Sequence, residues 1–196
     1  MRRFSAARDA ATPDELWLLE HPPVYTLGQG ADLSHGPAAP AEAAAAAIPV
    51  VRVERGGEVT YHGPGQLIVY TLVDIARRGI RVREFVRLLE QAVIDLLAAH
   101  GLDAARKPGA PGVYVGSAKI AALGIRVAKG RAWHGLALNV DMDLAPFRAI
   151  DPCGYPGLAV TQASDLGVRA GTGELGSELA RRLADLLASQ AAEVHA

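Results

Sequence analysis

Four short segments hold most of the residues able to do chemistry. The densest runs Arg55-Gly56-Gly57-Glu58-Val59-Thr60-Tyr61-His62-Gly63-Pro64-Gly65-Gln66. Four glycines and a proline in twelve residues let the backbone turn sharply and approach a bound group closely. Between them Arg, Glu, Thr, Tyr, His and Gln supply hydrogen-bond donors and acceptors. The same composition also suits a polar turn between two strands. No Gly-Lys-Ser/Thr closes the segment and no dinucleotide-type glycine spacing opens a helix, so it is not a phosphate loop of either kind.

The second segment surrounds Lys119 in Gly116-Ser117-Ala118-Lys119-Ile120-Ala121-Ala122-Leu123-Gly124-Ile125. Of 20 basic residues only Lys107, Lys119 and Lys129 are lysine. Where arginine is the default cation, a retained lysine is a candidate for work that needs proton loss. Among small and apolar neighbours, partial burial lowers the proton affinity of an amine and makes it usable as a base. The alternative is an edge-strand lysine that guards against aggregation. The third segment, Trp133-His134-Gly135-Leu136-Ala137-Leu138-Asn139-Val140-Asp141, carries a second histidine. His62 and His134 suit acid–base work, metal ligation or plain hydrogen bonding within strands. No third ligand stands at a metal-binding spacing, so no metal is expected. The fourth segment, Asp151-Pro152-Cys153-Gly154-Tyr155-Pro156-Gly157, holds the single cysteine in a Pro/Gly-rich turn. A thiol so placed reads as a nucleophile or as inert. As a nucleophile it needs a cation or base beside it, and Lys119, His62 and His134 are the candidates.

The elements that must position these groups follow from periodicity. Short apolar runs predict strands at Trp17 to Glu20, Val24 to Leu27, Pro49 to Val53 and Leu67 to Ile75. Further strands are expected at Gly112 to Val115, Ala118 to Val127 and Ala132 to Asp141. Val82, Phe85, Val86, Leu89, Val93, Leu96 and Leu97 fall at helical steps and predict a helix from Val82 to His100 that Gly101 ends. A closing helix is expected over 173–192, and a helical turn at Leu144 to Ile150. Residues 29–47 read as a surface loop with one Ala-driven turn around Ala43 to Ala47. Strands in the middle and helices apart predict an α/β protein of the α+β type, a mixed sheet with helices against one face. No repeat or linker divides the 196 residues, and one domain is expected.

Composition bounds the rest. The formal charge is −1, from 20 basic and 21 acidic residues, and aromatics are 5%. That leaves no basic footprint for nucleic acid or anionic membranes and little for base stacking. No apolar run approaches the roughly 20 residues of a membrane span. Asp9, Asp14 and Glu15 follow the basic N-terminus too closely for a presequence, so a cytoplasmic location is expected.

Taken together the four segments resemble the lipoyl(octanoyl) transferases of lipoate biosynthesis. The resemblance rests on Arg-Gly-Gly-x-x-Thr-Tyr-His-Gly-Pro-Gly-Gln, Ala-Pro-Gly-Val-Tyr-Val-Gly, Lys-Ile, His-Gly-x-Ala-Leu-Asn and Pro-Cys-Gly, in that order, from about Glu15 to Thr161. It implies the fold shared by biotin and lipoate ligases, with Cys153 accepting the acyl group and Lys119 activating it. It implies substrate contacts from Arg55, Gly56, Gly57, Glu58, Val59, Thr60, Tyr61 and His62, from Ala122, Leu123 and Gly124, and from Gly135, Leu136 and Ala137. Octanoyl-acyl carrier protein is the implied donor. Lipoyl domains of 2-oxoacid dehydrogenases and the glycine-cleavage H protein are the implied acceptors, with no cofactor. Family members usually carry a further strand and most of a helix before the segment that starts near Met1. An open sheet edge and a misplaced start are both compatible with that difference. The competing readings are an ATP-dependent lipoate ligase, whose acyl-adenylate chemistry needs no cysteine, and a non-catalytic acyl- or lipoyl-domain-binding module.

Overall fold

The computed structural model describes residues 1–31, 48–151 and 157–193. Most of the expected loop over 29–47, with its turn at Ala43 to Ala47, and Cys153 itself lie outside the described residues. The elements in chain order are α1 (Arg2–Ala7), β1 (Glu15–Leu19), β2 (Val24–Leu27), β3 (Val50–Arg52), β4 (Val59–His62) and β5 (Gln66–Asp74). There follow α2 (Val82–Ala99), β6 (Ala104–Lys107), β7 (Ala110–Val115), β8 (Ala118–Ala128) and β9 (Arg131–Asn139). Among the described residues, 3-10 turns at Ala145–Ala149 and Ser164–Leu166 precede α3 (Thr172–Glu193).

The strands divide into two sheets. The larger has the order β1-β5-β9-β8-β7-β6, with every neighbouring pair antiparallel. The smaller has the order β3-β2-β4, in which β2 pairs β3 parallel and β4 antiparallel. The α+β expectation holds, while parallel pairing within these sheets is confined to the small one.

Helices α2 and α3 cover one face of the large sheet. Phe85, Leu89, Val93 and Leu96 of α2 and Leu175, Leu179 and Leu183 of α3 are fully buried there against Leu67, Val69 and Val73 of β5 and Leu138 of β9. Each such side chain contributes roughly 2 kcal/mol of burial. The stop at Gly101 has a physical basis. Its φ of +79° lets the Leu102 and Gly101 N–H groups return to the carbonyls of Leu97 (2.9 Å) and Ala98 (3.0 Å), which closes the last turn. The tight β8–β9 hairpin turns on Lys129 and Gly130, both at positive φ as its two-residue loop demands.

Helix α1 was not expected, being a single basic turn and a half with no apolar periodicity. It sits on the opposite face of β1 from Leu16. There Phe4 meets Trp17 edge-on at 5.8 Å and buried Arg8 donates to the Leu72 carbonyl at 2.6 Å. The described helices therefore do not all lie on one face. β4 was also missed, because its four residues lie inside the glycine-rich segment that reads as a turn. Its alternation nonetheless decides the site. Val59 and Tyr61 are buried in a second core with Tyr25, Met142 and Phe147, while Thr60 and His62 take the other face.

Candidate active site

A cavity of about 360 Å³ opens between the two sheets. Its walls come from Thr26 of β2, Thr60 and His62 of β4, Ile68 and Tyr70 of β5, Ala122 to Gly124 of β8, and His134 to Ala137 of β9. The lining is mainly apolar. Three separate sequence motifs thus converge on one space. Of the expected contact residues, Arg55, Gly57, Glu58, Val59, Thr60, His62, Ala122, Leu123, Gly124, Gly135, Leu136 and Ala137 border it. Gly56 and Tyr61 are not in its wall. The Gly56 N–H donates to the Ile125 carbonyl at 3.0 Å, and the Tyr61 ring stacks into the second core, 5.5 Å from both Tyr25 and Phe147. Strand alternation forces this, since Tyr61 must face away from Thr60 and His62.

Arg55 borders the cavity and is anchored to β2. It is 9% exposed, and its guanidinium donates to the Thr26 hydroxyl (2.8 Å), the Thr26 carbonyl (2.6 Å) and the Gly56 carbonyl (3.0 Å). Gly28 and Gly124 make room for it. A Cβ at Gly28 would lie 2.7 Å from Arg55 Nη1, and one at Gly124 would lie 3.0 Å from Arg55 Cδ. Gly135 serves a similar purpose between strands, because a Cβ there would lie 2.1 Å from the Val69 carbonyl oxygen. Those two strands could not pair closely around any larger residue.

His62 and His134, two of the three histidines in the cavity wall, are held neutral. Burial pushes the pKa of His62 down to about 4, with the Arg55 charge adding to the effect against a hydrogen bond to Gln66 that opposes it. His134 is likewise pushed down to about 4, by burial first and then by Arg55. Burial also lowers His21. His62 Nδ1–H donates to Gln66 Oε1 at 2.7 Å, and Gln66 Nε2 donates to Asn139 Oδ1 at 2.9 Å. Asn139 Nδ2 in turn donates to the Thr161 carbonyl at 2.9 Å. Because Gln66 spends its amide hydrogens on Asn139 and Tyr61, its oxygen accepts from His62, which leaves Nε2 as the lone-pair nitrogen. His134 adopts φ +62° inside β9, a left-handed conformation that costs about 1–3 kcal/mol. Its carbonyl accepts from the Thr71 hydroxyl at 3.0 Å and its N–H meets the Met1 sulfur at 3.3 Å, which replaces ladder bonds.

Lys119 does not line the cavity but stands on the strand that does. It is 4% exposed, and its Nζ donates to the Pro111 carbonyl at 3.2 Å and lies 5.3 Å from the Tyr114 ring centre. A β-bulge beside it, where Tyr114 pairs Lys119 but Val113 pairs Ala121, re-aims this stretch of β8. Gly112 leaves room for the amine: a Cβ there would lie 3.0 Å from Lys119 Cε and 3.4 Å from Nζ. The Lys119 backbone is bonded on both sides to residues that follow Cys153 in the sequence. Its N–H donates to the Ala159 carbonyl at 2.8 Å, and its carbonyl accepts from the Thr161 N–H at 3.0 Å.

Sequence reasoning missed Ile68, Tyr70, Thr26 and His21 as cavity residues. Ile68 and Tyr70 alternate with core-facing Leu67 and Val69, but both faces of β5 are buried, so no polar–apolar alternation gives them away. His21 read only as a strand stop before Pro22-Pro23. It lies 2.6 Å from the Tyr70 hydroxyl, and its ring centre is 5.9 Å from that of His62. Among the described residues no cluster of three metal-ligating side chains occurs, and no helix is long and apolar enough to cross a membrane.

Comparison with known proteins agrees with this geometry. Residues 2–181 match the family model described as "Lipoyl protein ligase A/B catalytic domain". The chain is 63% identical over 168 residues to an octanoyltransferase of Thiobacillus denitrificans, covering 86% of this chain and 74% of that one. It is 54% identical over 183 residues to an octanoyltransferase of Dechloromonas aromatica, covering 93% and 86%. Among solved structures, a bipartite lipoate protein ligase from Thermoplasma acidophilum superimposes with a TM-score of 0.77 at 18% identity, over 98% of this chain and 84% of that one. A biotin protein ligase from Aquifex aeolicus does so with a TM-score of 0.54 at 16% identity, over 65% and 55%. At such identities the structural likeness speaks for the fold alone. The family model and the sequence relatives go further: the chain belongs to the lipoyl protein ligase A/B catalytic domain family, among its octanoyltransferases.

Proposed function

We propose that this chain is an acyltransferase of lipoate biosynthesis, a single catalytic domain of the cytoplasm. It moves an octanoyl group from octanoyl-acyl carrier protein to a lysine of lipoyl domains, those of 2-oxoacid dehydrogenases and the glycine-cleavage H protein. The acyl chain occupies the apolar space between the sheets. Lys119 as neutral amine takes the Cys153 thiol proton, and the thiolate attacks the thioester carbonyl. The carrier's phosphopantetheine thiolate leaves and takes the proton back from Lys119, and a thioester remains on Cys153. The acceptor lysine, as neutral amine, then attacks that thioester; its proton passes to Lys119 and on to the departing Cys153 thiolate, which leaves an amide, a free thiol and the neutral Lys119. Exchange between thioesters followed by amide formation runs downhill, so the reaction takes no ATP.

The observation that carries this reading is the placement of Lys119. It is a buried amine on the strand that carries the cavity-lining Ala122 to Gly124, with its backbone bonded to Ala159 and Thr161, which follow the only thiol in the sequence. The histidines support the assignment by default, because imidazoles with a pKa of about 4 are weak bases near neutral pH. His62 and His134 serve instead as neutral hydrogen-bonding groups in the cavity wall. The reading is tested by incubating pure protein with octanoyl-acyl carrier protein and a lipoyl domain, without ATP. Octanoylated lipoyl domain is expected, and a strict requirement for ATP would point instead to ligase chemistry.

A further inference from the structure

Glu90 is a buried carboxylate that the reaction above does not use. It projects from the middle of α2, is 5% exposed, and holds Arg106 Nε on Oε2 at 2.9 Å. Arg106 is itself fixed by the Arg87 carbonyl (2.8 Å) and Gln91 Oε1 (2.9 Å). A surface arginine partner alone would not require burial of the acid. The second oxygen explains it: Glu90 Oε1 accepts the Gly112 N–H at 3.0 Å. That N–H belongs to the same peptide unit whose carbonyl, Pro111 O, accepts from Lys119 Nζ at 3.2 Å.

We infer that Glu90 is a positioning residue for Lys119, acting through the Pro111–Gly112 peptide. This inference rests on the reading of Lys119 as the base that serves Cys153. A peptide unit is planar, so fixing its N–H fixes the direction of its carbonyl. Gly112 stands at φ +140° with Ala121 O 2.8 Å and Lys119 Cε 3.0 Å from where a Cβ would be, so no side chain on the Gly112 side pins this peptide. The carboxylate supplies the missing constraint. Its charge-assisted bond also polarises the amide, which strengthens the carbonyl as an acceptor for the amine. The line therefore runs from Arg106 through Glu90 and one peptide to Lys119 Nζ. With one N–H held on Pro111 O, the lone pair and the one remaining hydrogen of the neutral amine are confined to the other directions.

The test uses single-turnover loading of the full-length protein by octanoyl-acyl carrier protein, read by intact mass. The burst amplitude counts folded molecules and the rate constant reports the chemistry. Glu90→Ala removes the anchor, whereas Glu90→Gln keeps one acceptor oxygen that can serve Gly112 or Arg106 but not both. Glu90→Ala is expected to lose roughly 10-fold to 100-fold in rate constant with KM unchanged, and Glu90→Gln to recover part of that loss. Val93→Ala, a cavity in the same helix, lowers the melting temperature but leaves the rate constant as in wild type. If Glu90→Ala does not fold, a reduced rate constant for Glu90→Gln carries the same meaning. Glu90 variants that lose only stability and load at the wild-type rate overturn the inference, provided Lys119→Arg loads slowly. Normal loading by Lys119→Arg as well would instead remove the reading on which it rests.

Discussion

Two desolvated, neutral histidines make the fold sensitive to mild acid. In the unfolded chain His62 and His134 titrate near their ordinary value of about 6.5. In the folded chain burial holds both at about 4. Between these values the unfolded state binds more protons than the folded one, so stability rises with pH across the window and falls on acidification. Integrating that difference from about pH 7 to about pH 5 gives about 2 kcal/mol for each histidine. The pair removes about 4 kcal/mol from a total of about 5–15 kcal/mol. For a chain of 196 residues that corresponds to a fall of about 10 °C in melting temperature. His21, lowered by the same cause, acts in the same direction. The carboxylates held low by partners, Asp14 and Glu20 among them, lose their contribution only at lower pH, so they leave this window to the histidines. Urea denaturation at a series of pH values reads the effect directly. His134→Asn is the matched variant, since asparagine tolerates the left-handed backbone found there. Its stability should depend on pH about half as steeply as that of wild type. A wild-type curve that is flat between about pH 7 and about pH 5 would refute the assignment of neutral, desolvated imidazoles.

Lys119→Arg keeps the charge but cannot accept a proton, so octanoyl transfer should fall roughly 10²-fold to 10⁴-fold with only partial rescue at higher pH. A folded variant within a few-fold of wild type in that rate assay would refute the general-base role. Gly112→Ala places a methyl group 3.0 Å from Lys119 Cε at φ +140° and should slow acyl loading roughly 10²-fold in stopped-flow or quench measurements. His62→Ala should show a milder defect, mainly in acyl loading. Complete loss with unchanged circular dichroism would exchange the roles of His62 and Lys119.

What could be read from the sequence divides along physical lines. The long helix ending at Gly101 was legible because its apolar spacing and its stop signal agree, and both depend only on neighbours in the chain. The hairpin strands β8 and β9 were legible for the same reason. β4 was not, because glycines that let the chain close over a cavity look the same in sequence as glycines that merely turn it. Nor was the division into two sheets, which is a long-range pairing of β2 with β3 across residues 28–49. The cavity residues that were legible are those in dense motifs, such as Arg55 and His62, and the same reading singled out Lys119 on the strand beside them. Glu90 and Gly112 were invisible as partners. Their meeting depends on α2 crossing β7, and a carboxylate in the middle of a helix otherwise reads as solvent-facing. Tyr61 illustrates the opposite limit, a motif residue that alternation turns into a neighbouring core.

The central claim is covalent catalysis by the thiol with Lys119 as its base. The most direct measurement is intact-protein mass spectrometry after mixing with octanoyl-acyl carrier protein alone, followed by addition of a lipoyl domain. The account predicts one octanoyl group on the protein, localised to Cys153 by peptide mapping, absent in Cys153→Ser and discharged when the lipoyl domain is added. Efficient octanoylation of the lipoyl domain by Cys153→Ser, with no acyl-protein formed at any time, would contradict it.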